Sequence, residues 1–306
     1  MRAVILLSLT SLGASLTAAQ ADLPALDQIA VSELARQNIP GVAAVVVKDD
    51  QVVWSTGLGV TSLESRTPVT PDTLFRLGSA RVFLAAAAYQ LSDEGRLRLD
   101  APAGDYLFGL DDKQAQLSAQ RLLSPPSDAG EEAVAARLIE SIRARPASAL
   151  LDEMVFVPLG MDHTTFASGL AMTYPLAVGH TVNGAVSRPM DGGPLFTSVR
   201  DLARFLIAFL NGGKLEDQQA LSPRIIAALS SDNGYGMQAD ASRGVRLIRQ
   251  TSTAPGFAGA ILVAPDFHTG VVVLANRDGA SAITIAQKLM ERSLPVRFPQ
   301  SVAILH

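Results

Sequence analysis

Strand-length apolar runs stand towards both ends of this 306-residue chain with helical sequence between them, and that arrangement limits the folds open to it. Val42 to Lys48 is a continuous apolar run, Asp49-Asp50 makes a turn, and Gln51 to Gly57 reads as the returning strand of a hairpin. Far along the chain, Leu247-Ile248, Gly259 to Val263 and Gly270 to Ala275 read as strands, the last two joined by a turn over Pro265 to Thr269. Helical spacing marks Leu23 to Gln37, an Ala-rich stretch from 79 to 94 stopped by Gly95, Glu131 to Arg143, Ala147 to Val155, Asp201 to Leu210, Leu221 to Leu229 and Ser281 to Arg292. The simplest compact solution is an α+β fold. One antiparallel sheet is built from both chain ends and flanked by helices, with a shortened helical insert over about residues 100–190.

The chemistry open to such a chain is narrowed by what it lacks. Without cysteine there is no thiol nucleophile and no Cys-zinc site, and no paired ligands suggest another metal, so neither metal nor cofactor is expected. The 25 basic residues against 29 acidic ones give a net charge of −4, which offers no broad cationic face to nucleic acid. Residues 1–21 run from Met1-Arg2 through an apolar stretch to Ala19-Gln20-Ala21, the order of a secretory signal peptide cleaved after Ala21. The expectation is a periplasmic or secreted bacterial protein with no transmembrane anchor after cleavage, and one domain over 22–306.

Six strings, in one order, carry a resemblance: Ile39-Pro40-Gly41 with its hairpin, Thr73 to Ser79, Glu94 to Leu97, Pro158 to Met161, Asp201 to Phe205 with Asn211 to Leu215, and Pro255-Gly256-Phe257. Together they resemble the penicillin-recognising serine hydrolases, which include class C β-lactamases, DD-peptidases and related esterases and D-aminopeptidases. The resemblance covers roughly residues 35–295 and implies a β-lactamase/transpeptidase-like fold, with Thr73 to Gly78 and Gly192-Gly193 in scaffold roles. Function must still be argued from the site.

Three motifs carry the chemistry of that family, and each departs here. In S-x-x-K, a serine at a helix start shares a face with a lysine three residues on, whose amine takes the hydroxyl proton. Ser79 fits the nucleophile position, but its partner is Val82; Arg81 reads as facing the wrong side and is too basic to deprotonate. None of Lys48, Lys113, Lys214 and Lys288 has a serine three residues before it. The second motif, Y-x-N, supplies a phenol and an amide; none of Tyr89, Tyr106, Tyr174 and Tyr235 precedes an asparagine by two, and the position resembles the motif only as Ser127-Asp128-Ala129. The third, K/H-T/S-G, sets a cation on a strand beside the oxyanion hole to attract a substrate carboxylate. Counting back from Pro255, it reads Gln250-Thr251-Ser252, then Thr253. A literal His268-Thr269-Gly270 falls in the turn between two strands and reads as a decoy.

With base, phenol and cation absent together, Ser79 reads as a helix-start serine serving backbone N–H groups. His163, His180 and His306 lack an acidic partner and read as structural or surface residues. The expectation is a binding or regulatory pseudoenzyme with Gln250, Thr251, Ser252 and Thr253 lining its pocket. Its partner would be a peptide-like or cell-wall-related ligand or another protein. The alternative is a weak serine esterase or amidase in which Ser79 acts with an unconventional base.

Overall fold

A computed structural model describes residues 23–124, 129–187, 195–231, 234–242 and 244–295. The expected signal peptide, Ser127-Asp128, Gly192-Gly193 and His306 lie outside the described residues. The chain runs α1 (Leu23–Arg36), β1 (Gly41–Lys48), β2 (Gln51–Gly59), β3 (Phe75–Leu77), α2 (Arg81–Asp93), α3 (Ala129–Arg143), α4 (Ala147–Leu151) and β4 (Leu195–Thr197). It continues through α5 (Val199–Leu210), α6 (Pro223–Leu229), β5 (Gln238–Ser242), β6 (Val245–Ala254), β7 (Phe257–Ala264), β8 (Thr269–Ala275) and α7 (Ala282–Ser293), with shorter helical and strand segments among the other described residues. An antiparallel sheet of order β2-β1-β8-β7-β6-β5 joins both chain ends, as the distribution of apolar runs implies.

The unbroken apolar run of β1 has a direct cause: both faces of the sheet are covered. Val42, Ala44 and Val46 pack with Leu26 and Ala30 of α1 and Ile285 and Leu289 of α7. The alternate residues Ala43, Val45 and Val47 join the larger core on the helical side. At the centre of that side lies α2, in which every residue from Val82 to Tyr89 is buried. Its alanines let neighbours approach closely, and Phe83 meets the ring edges of Phe156 and Phe205 at 5.2 and 5.5 Å. Gly95, at φ +70°, ends the helix as expected.

Several boundaries differ from the sequence reading. The Ala-rich helix starts at Arg81 rather than Ser79, because the chain arrives from β3, paired to β4, and turns only at Ala80. The helix expected over Ala147 to Val155 is α-helical to Leu151 and then widens into a π-helical turn over Asp152–Phe156. Strand β6 extends well past Leu247-Ile248 to Ala254, because β7 pairs with it along that length. Strand β5, not anticipated, pairs only with Val245 to Arg249. The edge of β6 from Gln250 onward is therefore left uncovered by β5 and faces the start of α2. Among the described residues no helix is long and apolar enough to cross a membrane, and no group of three His, Asp or Glu side chains is placed to hold a metal ion.

Candidate functional site

The cleft forms where three elements meet: the turn from β3 into α2, the first turn of α3, and the free edge of β6. Gly78 makes this meeting possible, because a methyl group there would lie 2.0 Å from the carbonyl oxygen of Thr253. Ser79 is thereby held beside β6, and two lobes open around it. The polar lobe, about 280 Å³, is bounded by Ser79, Arg81, Glu132, Gly236 to Gln238 and Arg249 to Thr253. The larger lobe, about 730 Å³, is lined mainly by apolar side chains including Leu84, Ala136, Leu151, Phe166 and Leu195. The structure thus brings Ser79 together with all four expected pocket residues, Gln250, Thr251, Ser252 and Thr253.

Glu132 is the residue the sequence reading did not single out. From the first turn of α3 its Oε2 accepts the Ser79 hydroxyl proton at 2.7 Å, while Oε1 accepts the Ala80 N–H at 2.7 Å. The Ser79 oxygen in turn accepts the Arg81 N–H at 3.3 Å. Arg81 does not face away as expected; its guanidinium reaches Glu132 at 3.4 Å and lines the polar lobe. The reason lies in the late helix start, which leaves Arg81 as the first residue of α2, turned towards α3. Ala80 is the helix cap, and Glu132 accepts its N–H from another helix, the bond that a Glu or Gln at the third helical position makes in a capping box. An acidic residue in a first helical turn is common enough that nothing in the sequence marked this one out.

Position 82 is closed to the chemistry the family uses there. Val82 is fully buried, and Gly236 lies over its backbone so tightly that a methyl on the glycine would stand 2.6 Å from the Val82 Cα. Gly236 is fixed in that place by its N–H, which donates to the Leu123 carbonyl at 2.8 Å. Gln250 occupies the position where the resemblance puts a cation. It is 8% exposed, and neither its Oε1 nor its Nε2 has a hydrogen-bond partner among the described residues.

The remaining candidates fall away from the cleft. The His163 ring lies tilted against Tyr174 at 4.6 Å, and its backbone N–H donates to Asp201. His180 is buried at the end of β8, where its N–H meets the carbonyls of Gly256 and Asn276; burial, with help from Arg277, holds its pKa below the usual range. Tyr89 and Tyr235 pair edge to face at 5.0 Å on another side of α2, where burial above all pushes the Tyr89 phenol up. His268 turns the chain between β7 and β8. That turn is six residues of β7 from the Ala258 that pairs with Thr253, or about 20 Å at strand rise.

Comparison with known proteins places the fold in a family. The family model described as Beta-lactamase matches residues 26–291. Among curated relatives, Protein flp of Staphylococcus aureus (strain MW2) is 21% identical over 82% of this chain and 62% of its own length. The Unguisins hydrolase ungD of Aspergillus violaceofuscus is 23% identical over 78% of this chain and 58% of its own. The chain therefore spans about three fifths of these relatives. Among solved structures, the octameric penicillin-binding protein homologue from Pyrococcus abyssi superposes with a TM-score of 0.76 at 21% identity, covering 88% of this chain and 77% of that one. A class C β-lactamase from Rhodobacter sphaeroides gives 0.73 at 20% identity, covering 87% and 98%. A D-alanine carboxypeptidase from Burkholderia cenocepacia gives 0.71 at 20% identity, covering 89% and 99%. Matched by the family model from the first helix to the last, and sharing the fold of these solved structures, the chain belongs to the β-lactamase family.

Proposed function

We propose that this protein is an exported, catalytically inactive member of the family that uses the Ser79 cleft to bind a ligand. One observation carries the reading: the Ser79 hydroxyl is held by Glu132, and Glu132 is itself held by the Ala80 N–H and the Arg81 guanidinium. A nucleophilic serine needs a neighbour that takes its proton as the bond to substrate forms. A carboxylate is a weak base towards an alcohol proton, and this one already receives three donors. The contact ties α3 to the start of α2 and leaves Ser79 in a structural bond. Val82 has no proton to exchange, and Gln250 carries no charge.

Intact-mass spectrometry of the purified protein after incubation with a β-lactam and, separately, a fluorophosphonate tests the reading, with Ser79→Ala as control. No Ser79-dependent mass increase is expected from folded protein. A second reading rests on the 2.7 Å Ser79–Glu132 bond: a weak esterase or amidase with Glu132 as its unconventional base. A fluorophosphonate adduct lost in both Ser79→Ala and Glu132→Gln would establish it. Export is supported by the order of charge, apolar stretch and Ala19-Gln20-Ala21. It predicts a mature N-terminus at Asp22 when the protein is recovered from the periplasm or medium and sequenced.

A further inference from the structure

We infer that Gln250 selects a neutral amide group in the ligand and discriminates against a carboxylate, reversing the preference that a cation at this position would give. The inference rests on the proposed binding role of the cleft and names the chemistry of its polar lobe.

Gln250 projects from β6 on the same side as Ile248 and Ser252, towards the helical half of the molecule, and it lines the lobe beside Ser79. Both polar atoms of its side chain are buried without a partner. A buried amide normally finds partners, and one left wholly unpaired at the wall of a cleft marks a place where a ligand completes the bonding. A side-chain amide sets an NH₂ donor group beside a carbonyl acceptor in a single plane, and exchanging its oxygen and nitrogen leaves that pairing of donor and acceptor intact. A peptide or carboxamide group offers the reciprocal pair and satisfies both atoms. A carboxylate accepts from Nε2 but sets its own lone pairs against Oε1.

The charges of the lobe fit a neutral group as well. Arg81 is matched by Glu132 at 3.4 Å, and Arg249 by Asp240 at 3.7 Å, with Gln238 also accepting from Arg249. Among the described residues, each cation bordering the lobe therefore has an anion of its own. A ligand carboxylate entering here would compete with Glu132 for Arg81 and would meet the Glu132 charge at close range.

The test is a matched pair of probes, N-acetyl-D-alanyl-D-alaninamide and N-acetyl-D-alanyl-D-alanine, which differ only in carboxamide against carboxylate. Their D-alanyl backbone is chosen because a D-alanine carboxypeptidase shares the fold. Affinities are measured by calorimetry on the full chain carrying Ser79→Ala, so that turnover cannot intrude. The carboxamide is expected to bind about tenfold more tightly or better, the effect of one to two added hydrogen bonds. Gln250→Lys is expected to invert the order. Gln250→Leu is expected to abolish the preference while keeping the thermal transition, which guards against reading a folding defect as lost selectivity. A preference for the carboxylate, a preference unchanged in Gln250→Leu, or no carboxamide binding by folded protein would overturn the inference. None of these outcomes bears on acylation of Ser79, which the mass measurement reads separately.

Discussion

Two buried amides in this molecule differ in a way that separates scaffold from site. Asn276, fully buried just past β8, accepts the Gly41 N–H at 2.6 Å and donates to the carbonyls of Val60 and Thr61 at 3.1 Å each. Its side chain holds the start of β1 to the segment that follows β2. Gln250, on a strand of the same sheet, has no bond to either polar atom. Both amides are costly to bury, and only one is compensated within the chain. A side chain kept in the uncompensated state beside a cleft is explained by what enters the cleft, whereas Asn276 is explained by the fold alone.

The sharpest way to break this comparison is at the satisfied end. Asn276→Leu leaves the buried Gly41 N–H and the Val60 carbonyl without the amide, while the Thr61 carbonyl keeps the Val178 N–H at 2.8 Å, and should lower the unfolding free energy by about 3 kcal/mol. Urea titration followed by circular dichroism measures it. A loss under about 1 kcal/mol would mean that water reaches the site and that Asn276 is no staple.

Charged groups extend the contrast. Glu33 of α1, its side chain 2% exposed, receives Arg36 at 2.6 Å, Lys288 of α7 at 2.5 Å and Gln37 at 2.9 Å. The Arg36 hydrogen bond, aided by Lys288 and Gln37 and opposed by burial, lowers its pKa from 4.5 to about 2. A depressed carboxylate adds stability that is fully present above its unfolded pKa and is lost as pH falls through the folded one. Wild-type stability should therefore decline from about pH 4.5 towards pH 2. Glu33→Gln should lose about 2 kcal/mol at neutral pH, less than the whole shift implies because Arg36 and Lys288 are half exposed. The variant should also flatten that part of the acid slope, read by thermal melts across the range. An unchanged slope would show that the α1–α7 contact does not depend on this charge.

At the cleft the corresponding carboxylate is Glu132, and its replacement should cost less. Glu132→Gln keeps an acceptor for Ser79 or Ala80 but removes the ion pair to Arg81, so about 1 kcal/mol is expected in the same urea measurement. A larger loss would show that the bridge between α2 and α3 is worth as much as the contacts of the scaffold.

How much of this was legible in the chain follows the range of each interaction. The run from Val42 to Lys48 and the two C-terminal runs disclosed a sheet built from both ends, because covering both faces writes itself into consecutive residues. Strand β5, Gln-Ala-Asp-Ala-Ser, carries no such pattern; it is a strand because Val245 to Arg249 pair with it. The polar end of β6 was hidden for the same reason and is held by β7. Counting from Pro255 found the four cleft residues on this strand, whereas the Ser79–Glu132 bond spans 53 positions and joins a helix start to another helix. The direction of Arg81 follows from where the helix begins, two residues later than the Ala-rich pattern implies. Whether an amide is satisfied is a property of packing, and the letters at Asn276 and Gln250 do not disclose it.

The smallest expected effect is the most informative for the comparison. Gln250→Leu replaces an unpaired amide with an apolar side chain of similar size on a face shared with Ile248 and close to Ser252. No hydrogen bond within the protein is lost and the desolvation penalty of two polar atoms is removed, so stability should stay level or rise by about 1 kcal/mol. That sign is opposite to the one predicted for Asn276→Leu, although both changes remove a buried amide, one within the sheet and one at its end. A rise in the midpoint of thermal unfolding together with loss of selectivity between the carboxamide and carboxylate probes would place Gln250 among residues kept for binding at the expense of stability. A loss as large as that at Asn276 would instead make both amides parts of the scaffold and remove the distinction between them.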